Sequence, residues 1–400
     1  MQAILLSRHP LNNLSLPPMA KSDGKMVGLL MAWILGTRAF FYYYVPYFDP
    51  FLLLHHLDSS WLRENLWESV YYLHAQPPLF NLILGGLLKA TPLGSESMVF
   101  TIFFLLLAVR IGVMAYSLLR CFNISPRAAI IVSALFLLIP QERWLNYNIY
   151  FVSFLMLAAT LSLYRYFRSA KMLPLFIFGL ASASIVWSRS FFHLVFWLVP
   201  LIGLILWTKK KRSFVVIMMG VLLLGALPYV KNNVEFGFFG GSSWLGMNMA
   251  NMTRYVKEEA IQKSIESGEV TPLIQIEHFA PVKVYQNYYG LESKTGIEVL
   301  DAQEKSNGTV NANHSIYLRA SEEYKRNTLA LIKKYPGAYT KAVFNEFYII
   351  MGFIPYKFFD TYPDWHINQI TSNAQLNKAI GIVDAFVLVG FMLSWKRTYA

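Results

Sequence analysis

Charge is what this chain has least of. Asp, Glu, Lys and Arg make up 14% of its 400 residues, where a soluble domain carries about 25%, so a water-solvated globular surface is excluded. It holds one cysteine, Cys121, which rules out an intrachain disulfide and any cysteine-based metal site. There is no repeat of 20 to 50 residues, no Walker loop, no zinc-ligand spacing and no low-complexity tract. The first 25 residues lack a small-residue cleavage site behind a compact apolar core, so the first apolar run is expected to stay as a retained signal anchor.

What the chain does have is apolar and aromatic mass: 55% hydrophobic and 16% aromatic residues, with a mean hydropathy of +0.39. Its net charge of +12 lies in short clusters beside apolar runs, such as Trp207-Thr208-Lys209-Lys210-Lys211-Arg212. Clusters in that setting orient helices and meet anionic headgroups. Membrane lipids are therefore expected partners, and nucleic acid is not.

A bilayer span needs about 20 mostly apolar residues. Six runs qualify, at 26–45, 98–119, 151–167, 173–187, 191–207 and 213–230; the short run 127–140 and the Asp384-containing run 379–395 complete the set. The fold expected is an all-α polytopic membrane protein of about eight transmembrane helices. Runs 78–88 and 343–355 are assigned to interfacial or re-entrant helices. With the N-terminus in the cytoplasm, every short basic loop (Arg120 and Arg127; Arg165, Arg168 and Lys171; Lys209 to Arg212) falls on the cytoplasmic side. This divides the chain into a cytoplasmic tail 1–25, a membrane core 26–230 with an active-site loop 46–97, an extracytoplasmic region 231–378 with an interfacial helix, and a last span with its tail, 379–400. A helix is expected around 321–335, stopped at Tyr335-Pro336-Gly337. The setting is a bacterial inner membrane or an endoplasmic reticulum membrane. In the latter, the sequons at Asn251, Asn307 and Asn313 face the glycosylating side, whereas those at Asn13 and Asn123 do not.

Asp, Glu, His, Tyr and Trp concentrate in the loops opposite the basic ones, so chemistry is sought on that face. Its most informative stretch runs from Tyr47-Phe48-Asp49-Pro50 to His74-Ala75-Gln76-Pro77-Pro78-Leu79-Phe80-Asn81. An acid directly follows the first span, and Pro-Pro fixes a rigid helix start. In these residues the chain resembles the GT-C class of membrane glycosyltransferases, in the branch of protein O-mannosyltransferases and lipid A aminoarabinose transferases. Members carry an Asp or Asp-Glu just after the first span, then a His- or Lys-Pro-Pro-Leu step; Asp49 and Gln76-Pro77-Pro78-Leu79 stand at those places. Here Gln76 replaces the His or Lys, His74 lies two positions earlier, and no Glu follows Asp49. The resemblance extends over 26–251.

The resemblance implies a GT-C-like bundle and transfer of a sugar from a polyprenyl- or dolichyl-phosphate donor to a hydroxyl of a glycan, lipid or protein. Asp49 would be the general base, a role worth about 10²- to 10⁴-fold in rate, with Asp58 or Glu142 as substitutes. A cation would meet the leaving phosphate: Arg189 first, for its planar fork, then Arg143 or Lys231. His74 and Gln76 would contact acceptor or donor, and Trp244, in the Gly-rich stretch 236–248, would stack on a sugar. No metal ligand is assigned: His55-His56 are adjacent, and neighbours on a helix point about 100° apart; a divalent cation is left open as a cofactor. Arg38 and Arg110, inside spans, read as snorkelling, as ion pairs or, for Arg38, as cavity lining. The alternatives are a transporter or flippase of lipid-linked saccharides, and an inactive subunit of a transferase complex.

Overall fold

The computed structural model describes residues 21–44, 47, 49–138, 147–169, 171–194, 202, 211–291 and 294–350. Glu142, Arg143, most of the run 191–207 and the whole of 379–395 lie outside the described residues. Among the described residues there is no strand; the one β-type pairing is an isolated antiparallel bridge between Glu304 and Val310.

Among the described residues, nine α-helices carry the first part of the chain: α1 Lys21–Tyr44, α2 Ser59–Glu64, α3 Leu66–Tyr71, α4 Leu79–Lys89, α5 Glu96–Cys121, α6 Pro126–Phe136, α7 Tyr147–Ser169, α8 Met172–Ser188 and α9 Lys211–Phe236. Four of them, α1, α5, α7 and α9, contain segments long and apolar enough to cross a membrane, as an all-α membrane protein requires. The 26 residues of α5 reach about 39 Å at 1.5 Å per residue. Two other expected spans are shorter here, with 11 residues in α6 and 17 in α8. The first expected interfacial run is α4, also of 11 residues.

Local chemistry sets the ends. Ser125 caps α6 by accepting the Ala128 N–H, with Pro126 as the first helical residue, where its missing N–H does no harm. Asp23, in the first turn of α1, accepts from the Tyr116 hydroxyl at 2.6 Å and from Arg120 Nε at 3.0 Å, so the start of α1 meets the end of α5. The Tyr164 hydroxyl donates to the Cys121 carbonyl, and Asn148 Nδ2 donates to the Ser188 carbonyl. These contacts alternate the helices up and down. They collect Arg120, Arg127, Arg165, Arg168, Lys171 and Arg212 at one end of the bundle, and the 47–97 loop, Arg189 and the tail of α9 at the other.

Packing inside the bundle is close. A Cβ on Gly112 of α5 would lie 2.5 Å from Ile34 Cδ1 and 2.8 Å from Leu137 Cδ1, so the missing side chain lets α1, α5 and the end of α6 meet. Arg38 is 1% exposed and donates to the Leu137 carbonyl, one of those that α6 leaves unpaired at its C-terminus. That makes Arg38 a structural link. Arg110, on α5, faces outward.

The chain falls into two compact units: one of residues 1–244 and 281–319, the other of 245–280 and 320–400. Helix α9 runs to Phe236, and 281–319 belongs to the first unit. The helix Ile316–Lys334, which enters the second unit at Ala320, stops two residues before Pro336, which itself begins the helix Pro336–Ile350. Its Asn327 amide holds Thr271 through the Thr271 N–H at 3.1 Å and Oγ1 at 2.8 Å. Tyr324 donates to the Ile276 carbonyl at 2.7 Å. Ser321 accepts the Gly246 N–H at 3.0 Å, and a Cβ on Gly246 would sit 1.7 Å from the Ser321 carbonyl oxygen. Only glycine fits there.

Candidate functional site

The loop after α1 folds into a short 3-10 turn, Pro50–Leu52, capped by Asp49, whose Oδ1 accepts the Phe51 N–H at 3.0 Å. Among the described residues this is the one hydrogen bond to that carboxylate, which is half-buried. Burial raises the Asp49 pKa above its ordinary value, against the Phe51 hydrogen bond and the Lys305 charge, which lower it; the Asp58 charge adds to the rise. The acid is therefore a stronger base than one in water.

Asp58 is differently placed. It caps α2, and its carboxylate accepts from Ser60 N at 2.7 Å, Ser60 Oγ at 2.6 Å, Ser306 Oγ at 3.0 Å and the Ser306 N–H. Burial pushes its pKa up, and these hydrogen bonds outweigh that and hold it below its ordinary value. Its lone pairs are committed, so of the two acids Asp49 has the spare acceptor capacity.

Between the acids sits Lys305, 4% exposed. Its three N–H groups go to the carbonyls of Phe51 at 2.5 Å, Leu53 at 3.0 Å and His56 at 3.2 Å. Burial pushes its pKa down to about 8, although both Asp58 and Asp49 favour the charged form. His55 and His56 follow on a turn, not a helix, with ring centroids 4.3 Å apart. Burial, with Arg189 and Lys305 nearby, lowers the His55 pKa to about 3. His56, 3% exposed, is held well below its ordinary value by burial and by His55, Lys305 and Arg189; neither of its ring nitrogens has a partner among the described residues. No group of three His, Cys, Asp or Glu side chains placed to hold a metal occurs among the described residues.

Arg189 ends α8, its N–H bonded to the Ile185 carbonyl. The guanidinium is half-buried and has no hydrogen bond or ion pair among the described residues; burial lowers its pKa. Its charge acts on His55 and His56, which places it beside the acid loop.

The Pro77-Pro78 step reaches this loop through α4. Asn81, in its first turn, accepts the Leu57 N–H at 2.9 Å and donates to the His55 carbonyl at 3.3 Å, and Phe80 packs on the His56 ring at 5.3 Å. His74 and Gln76 lie in a strap just before this step. The His74 ring is fully buried with Nδ1 2.8 Å from Ser243 Oγ, and burial lowers its pKa to about 3. Asn313 Oδ1 accepts the His74 and Ala75 N–H groups at 2.8 and 3.0 Å, and its Nδ2 donates to the Tyr72 carbonyl at 3.1 Å. Gln76 is 8% exposed. Lys231 is committed to the Leu73 carbonyl at 2.6 Å, with its ammonium 5.2 Å from the Phe236 ring centre. Trp244 is 6% exposed and its indole N–H donates to the Ala312 carbonyl, so the ring expected to meet a sugar is packed inside the protein.

The structure thus gathers Asp49, Asp58, His55 and His56 around Lys305, with Arg189 beside the two imidazoles, and commits His74, Lys231 and Trp244 to other partners. Lys305, Asn313 and Asn81 are site-building residues that sequence reasoning did not single out. Compared with family models, with curated proteins and with solved structures, the chain matches none.

Proposed function

We propose that the chain is a glycosyltransferase that moves a sugar from a polyprenyl- or dolichyl-phosphate donor to an acceptor hydroxyl at the extracytoplasmic membrane face. The observation that carries this reading is a half-buried carboxylate with spare acceptor capacity, Asp49, at the same end of an apolar bundle as a half-buried guanidinium with no partner among the described residues, Arg189. An amphiphilic donor suits that end: its lipid tail stays among the apolar helices while its phosphate reaches the loops. Asp49 accepts the proton of the acceptor hydroxyl as that oxygen attacks the anomeric carbon. The bond from that carbon to the phosphate oxygen breaks, and its electron pair leaves with the lipid phosphate, which Arg189 meets. The burial that raises the Asp49 pKa makes it a better base for this step.

The test is to incubate purified protein with labelled polyprenyl- and dolichyl-phosphate sugars and follow loss of each donor. Asp49→Asn should lower turnover about 10²-fold or more with the protein still inserted and binding donor, and Arg189→Ala should weaken donor use more than Arg189→Lys. One observation favours a second reading, a non-catalytic subunit: Asp49 caps the 50–52 turn, a task Asn performs equally well. Full activity in a stable Asp49→Asn protein assigns Asp49 to that task alone. Donor binding without consumption in every protein tested assigns the chain to a subunit or a flippase.

A further inference from the structure

Residues 303–311 form a tight hairpin. Lys305 N donates to the Thr309 carbonyl at 2.8 Å, Gly308 N to the Lys305 carbonyl at 2.9 Å and Asn311 N to the Gln303 carbonyl at 3.0 Å, with Gly308 at φ 76°, a left-handed value that suits glycine. Three consecutive residues at its tip grip the acid loop. Lys305 takes three carbonyls between Phe51 and His56, Ser306 takes the Asp58 carboxylate through both its N–H and its hydroxyl, and Asn307 Nδ2 donates to the Phe51 carbonyl at 3.1 Å. All three ammonium protons of Lys305 are therefore used on backbone, and none is left for a ligand. The loop it grips is the one that begins at Asp49.

We propose that this hairpin is a latch, and that Lys305 is a positioning residue: gathered against the Asp49–Asp58 loop, its ammonium fixes the loop's shape and holds a positive charge at the Phe51 carbonyl, two residues from Asp49. The inference deepens the transferase reading and rests on it for its catalytic meaning, but the latch itself is a statement about geometry and charge. Two charges act on Asp49: Lys305 favours its anion and Asp58 opposes it. His55 and His56 face Lys305 from the turn, and Arg189, at the end of α8, faces the two imidazoles. The His55 imidazole is uncharged above about pH 3, that of His56 is held well below its ordinary value, and the Asp58 carboxylate is already ionised, so around neutral pH Lys305 is the positive charge that acts on Asp49.

The test is titration of the Asp49 carboxyl by difference infrared spectroscopy, each protein against its own Asp49→Asn partner, which needs no activity. In Lys305→Met, whose stem fills the same space without charge, the Asp49 titration should move to higher pH by about one unit or more, and amide exchange over 50–57 should speed up. Lys305→Arg, still charged, should keep the wild-type titration. If donor turnover is detected, its acid limb should move with the carboxyl in Lys305→Met; a merely structural pin would lower the rate and leave the limb in place. An unmoved Asp49 titration in a folded Lys305→Met protein overturns the proposal, whatever the activity. Should Lys305→Met fail to insert, wild-type protein still decides: Lys305 should resist reductive methylation at pH 7 under conditions that modify exposed lysines such as Lys257, and ready modification overturns the latch. A wild type that consumes no donor counts against the transferase reading alone.

Discussion

Burial without charge is the shared state of His55, His56 and His74. His55 and His74 are pushed down to about 3, and His56 well below its ordinary value of 6.5, by burial first of all. The folded protein then binds fewer protons than the unfolded chain between about pH 6.5 and pH 3. Stability from these groups is present above the unfolded value and is lost as pH falls through that window. Detergent-solubilised protein should therefore melt progressively lower from pH 7 to pH 4.5, and His74→Gln, which removes one of the three, should flatten the slope of melting temperature against pH. An unchanged slope would mean that His74 is protonated in the native state. At this scale the sequence was readable where position carried the signal. Asp49 stood out because an acid directly follows an apolar span. Lys305 did not, because its partners are three backbone carbonyls, a feature every residue has and no side-chain pattern marks. Asn313 was read as a sequon and is instead a buried clamp, 2% exposed.

At the level of elements, capping chemistry and proline placement were legible: Ser125-Pro126 opens α6, and Tyr335-Pro336 separates two helices as expected. The short polar helices and the 303–311 hairpin were not, since their order comes from contacts across some 250 positions of chain, as between Lys305 and Phe51. Glycine shows the same limit. Gly246 and Gly220 look alike in sequence, yet a Cβ on Gly246 would strike the Ser321 carbonyl oxygen at 1.7 Å, while one on Gly220 of α9 meets nothing within 4 Å. Gly246→Ala should destabilise the second unit by about 3 kcal/mol or more, the upper range for overpacking. Gly220→Ala should be neutral or stabilising by up to about 1 kcal/mol, the helix propensity difference. Thermal unfolding of the two variants side by side checks both, and equal melting temperatures would refute the close approach at Gly246.

Across the whole molecule the charges are sorted by end. Arg120, Arg127, Arg165, Arg168, Lys171 and Arg212 share the end of the bundle where Asp23 pairs with Arg120 at 3.0 Å, and the acid loop lies at the other. That sorting is the pattern that orients helices in a bilayer, and it was visible in the sequence because basic loops are local, whereas the closing of the 303–311 latch onto the 49–58 loop is not. It predicts sidedness. In a Cys121→Ser background, a cysteine at Arg212 should be labelled by an impermeant reagent from the cytoplasmic side alone, and one at Leu93, exposed in the 47–97 loop, from the opposite side alone. A eukaryotic host adds a finer readout. Asn307 is exposed at the tip of its hairpin even though its Nδ2 reaches the Phe51 carbonyl, whereas Asn313 is 2% exposed beneath the 72–75 strap. Glycan should therefore appear at Asn307 when the 303–311 hairpin lies on the lumenal side, should leave Asn313 bare once the strap has closed, and should never appear at Asn123, beside the basic end of α5. A glycan on Asn123, or labelling of both cysteines from one side, would reverse the orientation and put the Asp49 carboxylate on the cytoplasmic face.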